Sequence, residues 1–173
     1  MVLLKNDGIL PFQQKQGKTI VIIGRLANVE NTGDQGSSNS TPIYVETPYE
    51  GIKKYQEKLG STVILSDGCD LSGAKELAQK ADEVILVVGF THEDEGEYII
   101  FDRDKMVESA NNGKAPEGII IGGDRTDLHL PKSDEILIEA IASQNKNLAL
   151  VYVGGSAIDM TSWNDKVPAI LFS

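Results

Sequence analysis

The stretch Glu83-Val84-Ile85-Leu86-Val87-Val88 decides the fold class. Its apolar residues follow one another without alternation and are rich in β-branched side chains. A strand of that kind is covered on both faces, as parallel strands between layers of helices are. Thr19–Ile23, Thr62–Leu65 and Leu148–Val153 read the same way, and Ala169–Phe172 is a weaker fifth run. Helical patterns fill the intervals. Pro48–Leu59 sets Ile52, Tyr55 and Leu59 at helical spacing, with Thr47 as N-cap, Pro48 in the first turn and Gly60 as a stop. Ser72–Ala81 gathers Ala74, Leu77, Ala78 and Ala81 on one face behind Ser72 as cap. Ser133–Gln144 gathers Ile136, Leu137, Ala140 and Ile141, and its start, Ser133-Asp134-Glu135, suits the positive end of a helix dipole. This alternation predicts an α/β protein: a three-layer α/β/α sandwich with a mostly parallel sheet.

A chain of 173 residues fits one such domain over residues 1–173, with residues 1–17 as a lead-in linker. The formal net charge of −10 repels polyanions, and no local basic patch offsets it, so no nucleic-acid partner is expected. No apolar run approaches the ~20 residues that span a bilayer, so no membrane partner is expected either. The single cysteine, Cys69, excludes an internal disulfide framework, and with only His92 and His129 as histidines no metal site is expected. No cofactor is expected. The N-terminus lacks the charged and apolar regions of a secretion signal. The final residues, Val167–Ser173, read as the inside of a strand, which favours a piece of a larger polypeptide.

Two segments depart from the regular plan: the polar loop Arg25–Glu46 and the long stretch Phe90–Pro131. Both follow strand C-terminal ends, the edge at which open α/β sheets bind ligands. The second holds Glu93-Asp94-Glu95-Gly96-Glu97, four carboxylates in five residues. Crowded like charges raise carboxyl pKa values, and a carboxyl kept protonated near neutrality is what a general acid requires. A solvated acidic loop carries the same composition, and the spacing does not fit an EF-hand calcium loop. Further on, Gly122-Gly123-Asp124-Arg125 could clamp a polar ligand through the planar donors of Arg125, or form a surface ion pair. Gly33–Ser38 lacks the glycine spacing of a dinucleotide site and the Lys-Ser/Thr of a P-loop. No Gly-x-Ser-x-Gly elbow is present, and Ser156 has no clear histidine base. Acidic neighbours of Cys69 should raise its thiol pKa and make it a poor nucleophile.

Several segments together, in order along the whole chain, resemble the C-terminal α/β-sandwich domain of glycoside hydrolase family 3, whose members include β-glucosidases and β-xylosidases. Val2–Asn6 with Leu10-Pro11 is similar to the family's lead-in, and Ile20–Gly24 to its first strand. Gly33–Ser38 with Thr47-Pro48-Tyr49-Glu50-Gly51-Ile52, Gly68-Cys69, Ala81–Gly89, Asp124-Arg125 with Leu128-His129-Leu130-Pro131, and Lys166–Leu171 follow suit. The resemblance implies the second domain of a retaining, exo-acting β-glycoside hydrolase. Its carbohydrate substrate, a β-linked glycoside, would meet two domains. A barrel domain of the same polypeptide, absent here, would carry an aspartate nucleophile. This domain would lend the general acid/base and part of the sugar pocket, and would be inactive alone. The family glutamate is followed by glycine, which points to Glu95, with Glu97 as runner-up because this chain reads Glu-Gly-Glu-Tyr. Asp124 and Arg125 would bind substrate. The insert Ile99–Ile121 departs from members that run the acidic loop directly into the Gly-Asp-Arg stretch. The alternative is a stand-alone α/β module that binds a sugar or nucleotide without catalysis.

Overall fold

Parallel strands need a covered sheet, and this chain builds one. The computed structural model describes residues 1–13, 15–33, 40–95, 99–101, 107–108, 111–113, 119–121, 125 and 127–173. They fall into two units, Met1–Asn31 with Tyr44–Gly89 and Leu128–Ser173, and Thr32–Ile43 with Phe90–Asp127.

In the first unit, strands Val2–Asn6 (β1), Thr19–Ile23 (β2), Thr62–Ser66 (β3), Glu83–Gly89 (β4), Leu148–Val153 (β7) and Ala169–Phe172 (β8) form one sheet, in the order β1-β8-β7-β4-β2-β3. Every neighbouring pair is parallel except β1 with β8. Successive residues of β2 point to opposite faces, and both faces are buried. On one face Ile20 and Ile22 join Leu26, Ala27, Val63 and Val87, with Tyr49 and Ile52 of helix Pro48–Lys58 (α1) packed against them. On the other, Val21, Ile23, Val84 and Leu86 are fully buried. There helices Leu71–Lys80 (α2) and Lys132–Ala142 (which we number α4) touch each other and the strands beneath. Burying each such aliphatic side chain stabilises the fold by roughly 1.5–3 kcal/mol. The result is the α/β sandwich with a mostly parallel sheet that the apolar runs predict.

The helices start where short-range chemistry favours it. At α1, Thr47 accepts the Glu50 N–H while the Glu50 carboxylate accepts the Thr47 N–H, a reciprocal capping box, and Pro48 follows at the first position. At α2 the cap is Asp70, whose carboxylate accepts the Gly73 N–H at 3.1 Å, rather than Ser72, so the helix begins at Leu71. α4 begins at Lys132 after Pro131, without a side-chain cap. Two expected apolar positions lie outside the buried faces: Tyr55 and Ile136 are exposed, and α4 instead buries Leu137, Ile138, Ile141 and Ala142 together with Asp134 and Glu135.

β1 is an addition to the expected strands. It is an edge strand with a bulge between Leu3 and Lys5, and Val2, Leu3 and Leu4 are exposed. With neither face fully covered, its pattern carries no alternation by which to recognise a strand. In the second unit, a four-residue helix, His92–Glu95 (α3), and an antiparallel pair, Ile99–Phe101 (β5) and Ile119–Ile121 (β6), occupy a stretch that showed little regular pattern in the sequence. Runs of three residues are too short to register as strands.

Candidate active site

β4 is the third strand from the β3 edge, with β2 and β7 on its two sides, and the acidic segment leaves its C-terminal end. The strand stops at Gly89, a residue with φ +131. A Cβ there would lie 2.8 Å from the carbonyl carbon of Val153 on β7 and closer still to its oxygen, so only glycine fits. Gly24, at the end of β2, has φ +127 and meets the Val87 carbonyl in the same way.

The pairing of β4 with β2 ends at Leu86, opposite Ile23, and Gly24 lies against Val87 just beyond it. The polar groups of the Gly89 residue are held by side chains. Its N–H donates to Asp134 Oδ2 at 3.1 Å, and its carbonyl accepts from Arg25 Nη2. Arg25 Nε lies 3.8 Å from the same Asp134 oxygen, and that carboxylate is only 4% exposed. Neither residue stood out in the sequence. Arg25 read as the first residue of a polar loop and Asp134 as part of a helix start. The one available signal was their position, at a strand's C-terminal end and at a helix N-terminus.

In the second unit, α3 begins two residues after Phe90. Thr91 N and Oγ1 both donate to Asp94 Oδ2, at 2.8 and 3.3 Å, and Asp94 N donates to the Thr91 carbonyl at 2.9 Å. Asp94 is thus engaged in closing the turn. Glu95 is the last residue of α3. Glu97 and Asp124 lie outside the described residues, as do residues 34–38 of the Gly/Ser loop. Arg125 is described: its guanidinium carbon lies 4.2 Å from the centroid of the Phe90 ring, and Nη1 donates to the Asp127 carbonyl at 3.4 Å. Stacking on an aromatic face is a habitual use of the planar guanidinium.

The insert Ile99–Ile121 closes at its own base. Ile99 pairs with Ile121, Ile100 with Ile120 and Phe101 with Ile119. The chain therefore returns at Ile121 to the place it left at Ile99.

His129 Nδ1 lies 3.3 Å from Glu135 Oε1, whose other oxygen is 3.1 Å from Lys132 Nζ. Cys69 is exposed, and the Asp67 charge, aided by partial desolvation and by a hydrogen bond that the thiol donates to the same carboxylate, pushes its thiol above the ordinary range. That agrees with its reading as a poor nucleophile. Among the described residues no three carboxylate, histidine or cysteine side chains gather closely enough to hold a metal ion. No helix among them is long and apolar enough to cross a membrane.

A mostly parallel α/β sandwich with an acidic segment at the C-terminal end of an interior strand defines a class of ligand-binding and catalytic domains. Comparison with known proteins narrows it. The glycosyl hydrolase family 3 C-terminal domain matches residues 1–173, and the chain belongs to that family. It is 31% identical over 181 residues to the thermostable beta-glucosidase B of Acetivibrio thermocellus, covering 99% of this chain and 20% of that protein. To beta-D-xylosidase 3 of Arabidopsis thaliana it is 32% identical over 174 residues, covering 96% of this chain and 19% of that protein. Among solved structures, the family 3 beta-glucosidase of Bifidobacterium adolescentis superposes with a TM-score of 0.68 at 26% identity, over 98% of this chain and 22% of that one. The chain thus spans about a fifth of the length of these relatives.

Proposed function

We propose that this chain lends the general acid/base, and part of the sugar pocket, to a retaining exo-acting β-glycosidase of the β-glucosidase type. A barrel domain of the same polypeptide would carry the nucleophile and complete the site. A TIM barrel takes about 250 residues, more than this chain contains, so the chain has at most half of the catalytic pair.

The observation that carries the reading is the placement of Glu95. It ends the single turn of helix that follows the C-terminal end of β4, in a segment whose Asp94 is already engaged by Thr91. The β5–β6 pairing supports including Asp124 and Arg125 in the same pocket, because Ile121, three residues before Asp124, pairs with Ile99, two residues after Glu97. A retaining glycosidase needs two carboxyl groups about 5–5.5 Å apart. In the first step Glu95, protonated, gives its proton to the glycosidic oxygen as the bond to the anomeric carbon breaks and the nucleophile's carboxylate bonds to that carbon. In the second, ionised Glu95 takes a proton from water, which attacks the same carbon and releases the nucleophile. Arg125, whose guanidinium lies against the Phe90 ring, would present its planar fork to sugar hydroxyls.

The test is a pair of variants in the full-length polypeptide. Glu95→Ala should slow hydrolysis of glycosides with poor leaving groups far more than of activated aryl glycosides. Azide should restore its turnover, because azide attacks the intermediate without general-base help. Glu97→Ala should show neither behaviour. If azide rescues Glu97→Ala instead, the acid/base is two residues further on, and if it rescues neither, the acidic cluster is a solvated edge. Residues 1–173 alone should not hydrolyse aryl β-glucosides.

A further inference from the structure

We propose that Arg25 and Asp134 are positioning residues for the acid/base segment and act through the peptide groups of Gly89; this rests on the reading of Glu95 given above. Gly89 is the last residue of β4 and is bonded to Phe90, the first residue of that segment. Whatever fixes Gly89 fixes the point from which the segment departs.

Three features show that this point is held by side chains rather than by the sheet alone. The pairing of β4 with β2 ends at Leu86, opposite Ile23 and short of Gly89. A buried backbone polar group must find a partner somewhere, and here both are satisfied by one paired set. Asp134 accepts the N–H and Arg25 donates to the carbonyl, while Arg25 Nε and Asp134 Oδ2 lie 3.8 Å apart. The parts come from three distant places in the chain: the second residue after the β2 terminus, the end of β4 and the first turn of α4. A strand end that needed only stability could have used apolar packing, which stabilises as well as a buried ion pair or better. An ion pair that grips both polar groups of one peptide residue restricts orientation, the property a proton-transferring group requires.

The test uses the full-length enzyme with Asp134→Ala, Asp134→Asn, Arg25→Met and, as reference, Glu95→Ala. Each is measured on phenyl and dinitrophenyl β-glucosides, and kcat/KM is compared because it stops at the first irreversible step, the one that uses the acid. Loss of folded protein lowers both values by the same factor. Misplacement of the acid lowers only the value for the phenyl glucoside, whose leaving group needs the proton. We expect Asp134→Ala and Arg25→Met to lower kcat/KM for the phenyl substrate on the order of tenfold to a hundredfold while the dinitrophenyl value nearly holds. Asp134→Asn, which keeps an oxygen for the Gly89 N–H, should fall between. If Asp134→Ala does not fold, Arg25→Met carries the test, since its side chain is 35% exposed. If Glu95→Ala discriminates between the two substrates but the Arg25 and Asp134 variants lower both alike or neither, the positioning role is overturned and the acid/base reading stands. If Glu95→Ala itself does not discriminate, that reading falls and the positioning role with it.

Discussion

Gly89 passes so close to Val153 that a Cβ on it would enter the Val153 carbonyl. The contact lies where β4 and β7 are still paired, Gly89 opposite Val153, one residue before the acidic segment begins. Its φ of +131 disfavours any L side chain, so substitution meets strain and overlap together. Gly89→Ala should therefore destabilise residues 1–173 by roughly 2–4 kcal/mol, among the larger effects of single substitutions. Urea unfolding with an unchanged slope and a lowered midpoint would show it. A midpoint equal to wild type would mean that the strand end relaxes freely, and would also weaken the argument that the segment departs from a fixed point.

The capping box of α1 gives a second, smaller expectation. Thr47 both accepts from Glu50 N at 3.2 Å and donates to Asn28 Oδ1 at 2.8 Å, so it ties the helix start to the loop after β2. Thr47→Ala should cost about 1–2 kcal/mol and Thr47→Ser distinctly less, read from thermal melting of the two variants side by side.

What was legible in the sequence follows from how local each feature is. β2, β7 and β8 lie where their continuous apolar runs end, because burial on both faces leaves no other pattern. β1 was not legible, since its exposed edge and bulge erase the signature of a covered strand. The β5–β6 hairpin is too short to register. The face of α4 was misjudged at Ile136 because a helix start that buries Asp134 and Glu135 turns the apolar stripe by one position. Asp134 is buried for partners on other elements: Gly89, 45 residues earlier in the chain, and Arg25. No window of sequence contains that relationship. The acidic cluster was visible from composition, but the singling out of Glu95 came from family resemblance. The structure adds the engagement of Asp94 by Thr91, which spacing alone could not reveal.

Cys69 offers a check on the electrostatics of the β3–α2 turn. Asp67 raises its thiol pKa, first through its charge, so less thiolate is present at any pH near neutrality. Alkylation by iodoacetamide at mildly alkaline pH should be slower than for an unstructured peptide thiol. Asp67→Asn should speed it, and added salt should narrow the gap. An unchanged rate in Asp67→Asn would rule out the charge as the cause.

The exposed pair Lys166–Glu139 makes a prediction about sign. The hydrogen bond and charge of Lys166 hold the Glu139 carboxyl below its ordinary value. A folded-state pKa depressed in this way adds stability above the unfolded-state value and loses it as pH falls through the folded one. Lys166→Met should therefore be slightly less stable than wild type at pH 7, and the difference should vanish at the acid end of the carboxylate range. Both side chains are about half exposed, so the effect is small and screened by salt. A difference that grows on acidification would contradict the assignment.

Arg125 separates two roles that its charge alone would confuse. Its guanidinium carbon lies 4.2 Å from the centroid of the Phe90 ring, and stacking on a ring face favours one orientation of the guanidinium plane. If the residue serves the sugar pocket, that orientation matters as much as the positive charge. Lysine keeps the charge but is a point donor on a flexible stem, without the planar fork and with weaker stacking. In the full-length enzyme, Arg125→Lys should raise KM several-fold with a smaller change in kcat, the mark of an interaction made equally in ground and transition states. Phe90→Leu should give the same kind of change with Arg125 intact, because it removes the surface that orients the guanidinium. The double variant should then cost little more than the worse of the two single variants, since both disrupt one arrangement. Additive losses would mean that Phe90 and Arg125 act separately. An unchanged KM in Arg125→Lys would remove Arg125 from the pocket and leave it as a surface cation packed on a ring.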